Sequence, residues 1–365
     1  MEQIGHSIKY KLMDENQMTE PSFSFIGDHK LPLVIKPINE DQANVAFLLH
    51  YLQEKNALIK EQLLKTGAIL LRGFGVTEVD DFAQVVNHCD LGNLYNYDKC
   101  AVVRKKIKEG MYTSIIGPPA LNVPLHNEKS YSADFPSHIY FNCVTPAKKG
   151  GNTPLLDGQK LWQSLPEQLK QKLDKGIIYR RKFYTKGLRW KIFQFFSEGQ
   201  LGFLWEHLLG TNNKKKASQL LKEQGYTFKW LPRGAGLITE LLLPAYRMHP
   251  ETGESVWFNQ SSHNNYYYNI RHEATNAIKN SLFKFVLSQR RFMAVVTFYG
   301  DGEPLTKSDA DILSNLMQKA KISIPWQKGD VLVIDNYRCL HGKEPHVGER
   351  LILASMTKPD EKKDR

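Results

Sequence analysis

The tripeptide His126-Asn127-Glu128 sets an imidazole and a carboxylate two residues apart. On an extended strand, positions i and i+2 face the same side, so both side chains can take hold of one metal ion. With 12 histidines and 38 acidic residues in the chain, such a tripeptide also arises by chance, and a polar loop accounts for it equally well. A metal reading needs a third ligand. His341 is the candidate, because it follows the apolar run Val331-Leu332-Val333-Ile334, where a side chain at a strand's end can face the mouth of a β-barrel. A lone histidine there more often packs or hydrogen-bonds.

Arg350 changes that balance. It opens the apolar run Leu351-Ile352-Leu353-Ala354, and a guanidinium buried without a partner is costly, so it faces water or meets an anion. Two imidazoles and a carboxylate on one face of a metal form the facial triad of non-haem Fe(II) oxygenases. The planar fork of an arginine suits bidentate contact with a carboxylate, which a 2-oxoglutarate co-substrate would supply. Thr153 follows Gly150-Gly151-Asn152 at a strand's mouth, where its hydroxyl can donate to a carboxylate. A plain β-turn explains the glycines as well.

The elements that must position these residues are mostly short strands. Residues 41–65 carry apolar side chains at helical spacing and end at Gly67. A buried strand follows from Ala68 to Phe74, then a helix over 78–88 with Thr77 as its N-cap. Gly117-Pro118-Pro119 breaks the chain before the first histidine, so a new strand can begin at Leu121. Strands are expected over 138–144, from Thr153 to Asp157, over 177–184, 255–260, 292–299 and 331–335, and from Arg350 to Met356, with helices over 159–175, 215–224 and 308–321. Ser308 and Asp311 form a capping-box pattern at the start of the last helix. The stretch 186–240 reads as an insertion over the core, and the tract 264–269 with Tyr266, Tyr267 and Tyr268 reads either as a loop lining a cleft or as an aromatic surface cluster. Short strands, glycine and proline turns and no βαβ rhythm point to a mainly β fold with α, a sandwich or jelly roll with helices outside.

Composition sets broad limits. The 365 residues suffice for a large core, and no stretch approaches the roughly 18 consecutive apolar residues of a membrane span. Residues 1–11 lack the basic start and apolar run of a secretion signal, so a soluble, cytoplasmic protein is expected, with neither a membrane nor a nucleic acid as partner. Cys89, Cys100, Cys143 and Cys339 contain no CxxC pair and read as reduced packing residues. The net charge of +11 suits an anionic substrate or partner.

Taken in order, several short pieces resemble one family. They are Gly67-Ala68-Ile69-Leu70-Leu71-Arg72-Gly73-Phe74, Leu125-His126-Asn127-Glu128-Lys129-Ser130-Tyr131 and Gly150-Gly151-Asn152-Thr153-Pro154. Further on come His249-Pro250 with Gly253-Glu254, Trp257-Phe258-Asn259-Gln260, Gly329-Asp330 through Asp335-Asn336, and His341-Gly342 with Gly348 and Arg350. Each piece is weak; the ordered set over about residues 67–357 is similar to the taurine dioxygenase (TauD/TfdA) family of Fe(II)- and 2-oxoglutarate-dependent oxygenases, on the branch of syringomycin-type amino-acid hydroxylases. The resemblance implies a single domain over 1–365 with a double-stranded β-helix (jelly-roll) core, flanking helices and a helical insertion. It implies His126, Glu128 and His341 as Fe(II) ligands, and Thr153 and Arg350 as anchors of the distal 2-oxoglutarate carboxylate. Dioxygen would be the oxidant, with 2-oxoglutarate decarboxylated to succinate as an unactivated C–H bond of an amino acid or similar small metabolite is hydroxylated.

Departures from the family pattern narrow the expectation. Halogenating relatives lack the carboxylate, so Glu128 favours hydroxylation or desaturation over chlorination. Sulfonate-using members carry a second arginine where this chain has Ala354, which disfavours taurine. Lys343 and His346 replace an arginine and an aromatic residue common after the second histidine. Asn122, Tyr131, Trp257 and Asn259 are candidate substrate contacts by nearness in sequence, and each serves equally as packing. The substrate would be free or tethered to an acidic carrier protein, and a homo-oligomer is compatible with the sequence. Two readings compete: a family member that binds ligand without turnover, and a zinc hydrolase using the same triad, which leaves Thr153 and Arg350 unexplained.

Overall fold

The computed structural model describes residues 20–26, 30–97, 104–115, 117–188, 190–191, 203–268 and 294–359. Its strands form two principal sheets with helices against their outer faces. In the larger, the order from one edge is Ser22–Phe25, Leu33–Lys36, Ala68–Leu71, Val331–Asp335, His138–Thr145, Leu351–Lys358, Met111–Thr113 and Lys106–Lys108. The smaller runs Ile322–Ile324, Thr153–Asp157, Cys339–Lys343, Val123–His126, all antiparallel.

Period-two alternation explains how these sheets stack. Along Val331–Asp335, Leu332 and Ile334 turn inward to a cluster shared with Leu155, Ile322, Ile324 and Cys339 of the smaller sheet. Val331 and Val333 turn outward to a second cluster, built on Phe47, Leu48 and Leu52 of the helix Val45–Glu54 and Phe82, Val85 and Val86 of the helix Val79–Cys89. The smaller sheet alternates likewise: Leu155 and Cys339 point inward, whereas Leu156 and Leu340 pack under the helices Gly158–Gln163 and Lys307–Ala320. Both sheets are therefore apolar on two faces.

Several local expectations are corrected. The helix expected over 41–65 is two, Val45–Glu54 and Asn56–Thr66, and that over 159–175 breaks at Pro166 into Gly158–Gln163 and Glu167–Leu173. Thr77 does not cap Val79–Cys89; Glu78 holds the N-cap position without a side-chain bond. The capping box of Lys307–Ala320 is Thr306 with Asp309, not Ser308 with Asp311. Asp309 also accepts from Tyr299 Oη at 2.9 Å and Lys172 Nζ at 3.0 Å; burial alone would raise its pKa, and the bonds from Thr306, Lys172 and Tyr299 outweigh burial and hold it below the usual carboxylate range. The stretch 186–240 is not uniformly helical. After the helices Trp205–Leu209 and Lys214–Glu223 come Thr227–Trp230 and Gly236–Leu243, which join Ile177–Tyr184 and Val295–Tyr299 in a third, four-stranded sheet. Leu237, Thr239, Leu241 and Leu243 are buried at alternate positions, a strand period that the apolar Ile238 and Leu242 on the other face obscure. Cys89, Cys143 and Cys339 are buried free thiols; Cys100, and the part of 264–269 and 292–299 formed by 269, 292 and 293, lie outside the described residues. Among those described, no helix is long and apolar enough to cross a membrane.

One ion pair ties the sheet that carries the site's far loop. Arg72 donates Nε to Asp330 Oδ1 at 2.9 Å and Nη2 to Asp330 Oδ2 at 2.6 Å, with both side chains buried. This pins Ala68–Leu71 beside Val331–Asp335, in the register Leu71 to Val331. Arg72→Met leaves a buried carboxylate uncompensated and is expected to cost about 3–5 kcal/mol. Arg72→Met with Asp330→Leu should recover most of that loss in urea melts, whereas equal instability of single and double variants would mean that the pair does not act through charge.

Candidate active site

His126 ends the strand Val123–His126 and His341 is central in Cys339–Lys343. The two residues are direct cross-strand partners, so their rings share one face, with centroids 4.5 Å apart. Gly342 permits this approach: a Cβ there would lie 2.5 Å from the Val123 carbonyl oxygen, and any side chain would prise the strands apart.

Glu128 lies beyond the strand, in a loop whose backbone is clipped from across the sheet. The Glu128 N–H donates to Asn336 Oδ1 at 2.7 Å, and Asn336 Nδ2 donates to the carbonyls of Glu128 at 3.1 Å and Pro136 at 2.7 Å. Asn127 Nδ2 returns a bond to the Asn336 carbonyl at 2.8 Å. These bonds aim the carboxylate at the histidines, with Glu128 Oε2 3.9 Å from His341 Nε2. One ligand atom each from His126, Glu128 and His341 lies within 4.8 Å of the others.

The protonation states suit a cation. Burial, then His126 and Arg104, drive the His341 pKa well below its ordinary value, so its imidazole is neutral and has a lone pair to give. His126 Nδ1 sits 2.8 Å from the Pro124 carbonyl; donation there fixes the proton on Nδ1 and leaves Nε2 as the ligating nitrogen. His341 Nδ1 is buried without a hydrogen-bond partner among the described residues. Two imidazoles and one carboxylate are a donor set that fits a divalent transition metal.

The same cavity holds an anion-binding end. Thr153 is buried at the head of Thr153–Asp157, and its Oγ1 accepts from Trp326 Nε1 at 3.1 Å, leaving its own O–H to donate. Arg350 precedes Leu351–Lys358 and donates Nε to the Gly151 carbonyl at 2.9 Å. Gly151 adopts φ 70°, and a Cβ there would lie 3.0 Å from Arg350 Cδ, so the residue is small for the guanidinium's sake. Lys343 donates Nζ to the Leu121 carbonyl at 2.9 Å. Burial pushes the Arg350 pKa down to about 10, and burial with the Arg350 charge pushes Lys343 down to about 8. Among the described residues neither forms an ion pair with a carboxylate. The non-atom space around the cavity is about 840 Å³ with the open solvent at its mouth included.

Of the residues singled out in the sequence, His126, Glu128, His341, Thr153, Arg350 and Tyr131 line this cavity. The Tyr131 ring lies 4.5 Å beneath the Arg181 guanidinium. Asn122 lines a neighbouring cleft with His263 and Tyr268. Trp257 and Asn259 are not brought to the cavity. Trp257 is wholly buried with Nε1 on the Asn259 carbonyl at 3.0 Å, and Asn259 spends its amide on Ala245 O at 2.6 Å and Ser261 N at 2.8 Å. They hold a turn against the helix Gly158–Gln163. Sequence reasoning missed Tyr97, Arg104, Gln260 and His263, which also line the cavity. Arg104 was hidden in the basic run Arg104-Lys105-Lys106, and His263 in a polar stretch without periodicity.

Comparison with known proteins agrees with this geometry. Residues 35–357 match the model of the "Taurine catabolism dioxygenase TauD, TfdA family". The chain is 30% identical to the dapdiamide synthesis protein DdaC of Enterobacter agglomerans over 302 residues, 82% of this chain and 85% of that one. It is 26% identical over 332 residues to a clavaminate synthase-like protein of Arabidopsis thaliana, 90% and 88% of the two chains. Among solved structures, AAD-2 in complex with Mn(II) and N-oxalylglycine superposes with a TM-score of 0.51 at 12% identity, over 94% of this chain and 98% of that one. PvcB of Pseudomonas aeruginosa does so with a TM-score of 0.50 at 13% identity, over 95% of each chain. These two share the fold. The chain thus belongs to the TauD/TfdA family and is an Fe(II)- and 2-oxoglutarate-dependent dioxygenase.

Proposed function

We propose that His126, Glu128 and His341 are the Fe(II) ligands, that Thr153 and Arg350 grip the distal carboxylate of 2-oxoglutarate, and that the enzyme hydroxylates an unactivated C–H bond of an amino acid or similar small metabolite. The observation that carries this reading is the cross-strand pairing of His126 with His341, with Glu128 clipped beside them in one cavity with Arg350. The two stacked sheets, the smaller antiparallel throughout and the larger antiparallel except where Leu33–Lys36 runs parallel to Ala68–Leu71, would then supply the halves of a double-stranded β-helix. Bound iron would activate dioxygen, one atom of which would enter succinate as 2-oxoglutarate loses carbon dioxide and the other the substrate's C–H bond.

The chain's own residues bind, orient and dry the reactants. Asn336 fixes where the carboxylate of Glu128 points, and Pro124 fixes the tautomer of His126. Lys343 adds positive charge beside Arg350, which favours a dianionic co-substrate in that end of the cavity. Val123, Phe141 and Ile352 supply apolar wall that excludes water from the reacting centre. The presence of a carboxylate at Glu128 supports hydroxylation, or desaturation by the same chemistry, over halide transfer. The net charge of +11 suits a substrate delivered on an acidic carrier, and a free amino acid fits the cavity equally.

Anaerobic protein mixed with Fe(II) and 2-oxoglutarate should develop the visible charge-transfer band of the chelate, and admission of oxygen should release succinate. Absence of both across a broad amino-acid panel would contradict the proposal. Glu128→Ala should lose the band through lost iron affinity. Arg350→Ala should keep iron yet need at least about 30-fold more 2-oxoglutarate, the result of losing about 2 kcal/mol or more with one partner of a buried charge pair. Asn336→Ala should weaken zinc binding by about 10–100-fold with Glu128 still present, read by competition with a chromophoric chelator; unchanged affinity would show that the clip does not position the ligand.

A further inference from the structure

Arg104 lies beside the metal site, bonded to Glu128, and the ligand and anchor roles proposed above do not include it. It lies just before the edge strand Lys106–Lys108, yet its side chain is only 6% exposed and lines the cavity. Its guanidinium carbon stands 4.7 Å over the centre of the Tyr97 ring, a cation–π contact. Its Nη2 donates to Glu128 Oε2 at 2.8 Å, while Tyr97 Oη donates to Glu128 Oε1 at 3.0 Å. Oε2 is also the oxygen that faces His341 Nε2 at 3.9 Å. A cation bound between the histidines and Glu128 therefore draws on the same oxygen as Arg104.

Charge accounting gives the consequence. Arg104, Lys343 and Arg350 are the cationic side chains of the described lining, and Glu128 is the carboxylate. A divalent metal adds as much positive charge as a 2-oxoglutarate dianion removes, so the loaded cavity keeps its cationic surplus. Once the charge of Glu128 is shared with the metal, a guanidinium buried beside it gains most from a new anion. We propose that Arg104 is the receptor for the substrate's carboxylate, which holds an amino acid by its acid group next to the metal centre and selects against neutral or cationic analogues. This rests on the proposed ligand roles of His126, Glu128 and His341.

The test uses full-length protein with Fe(II) and 2-oxoglutarate under argon, and the proteinogenic L-amino acids, each beside its α-carboxamide, as probes. Perturbation of the visible band reports binding without turnover. Wild-type protein should bind at least one amino acid about 30-fold or more tighter than its carboxamide, the value of a buried charge pair. Arg104→Met should reduce that preference to near unity while keeping the band, and should hold zinc as tightly as wild type or more tightly, because a competitor for Glu128 Oε2 is gone. Arg104→Lys, which keeps the charge but not the fork, should keep a reduced preference. Retention of the full preference in Arg104→Met, or no preference for acid over amide in wild type, would overturn the proposal. So would loss of zinc affinity in both variants, which would make Arg104 a support for Glu128 instead. Absence of the band in wild type would contradict the ligand assignment on which the inference rests.

Discussion

The register between Val123–His126 and Cys339–Lys343 is the constraint on which the site depends. Cross-strand pairing sets His126 opposite His341, and because side chains alternate every residue, a slip of one strand by one residue would turn its imidazole to the opposite face and part the two. The register is enforced from three sides. Gly342 lets the backbones close up against Val123. Leu155 and Cys339 are buried inside the sandwich and Leu156 and Leu340 under the outer helices, so the neighbouring strand cannot shift without exposing one row. Asn336 then ties the loop after Val331–Asp335 to the backbone of Glu128. That loop is itself held: Asp335 accepts from the N–H groups of Tyr337 and Arg338 and from His249 Nε2 at 2.8 Å.

Electrostatics gives the cavity its second character. A protein interior tolerates cations poorly, yet Arg104, Lys343 and Arg350 all reach this cavity, against one carboxylate in its described lining. Burial pushes the pKa of Lys343 down to about 8 and that of Arg350 down to about 10, the direction in which an environment unfavourable to a cation acts. An anionic ligand counters that environment.

Much of this was legible in the sequence, for identifiable reasons. The grouping of His126, Glu128 and His341 with Thr153 and Arg350 could be read because the family resemblance joins short pieces marked by glycine, proline or an apolar run, although His341, expected past a strand's end, is central in Cys339–Lys343. Arg72 and Asp330 belonged to recognisable pieces whose shared purpose, a buried bidentate pair, needed the fold to show it. The capping box was misplaced by two residues because Thr306-x-x-Asp309 and Ser308-x-x-Asp311 overlap; the tertiary bonds of Asp309 to Tyr299 and Lys172 decide between them. Trp257 and Asn259 were suggested by nearness to a motif, and proximity in sequence does not say which way a hairpin faces. Arg104 was not legible at all, because a basic run on an edge strand looks the same whether one of its members turns inward or not.

The central claim is that the paired histidines and Glu128 form one metal site per chain. Equilibrium titration with Co(II), followed by its visible spectrum and by metal content after gel filtration, tests it most directly. The account predicts one tightly held ion per chain, lost in both His126→Ala and His341→Ala while each variant keeps a cooperative melt. Retention of a stoichiometric ion by either folded variant would contradict it.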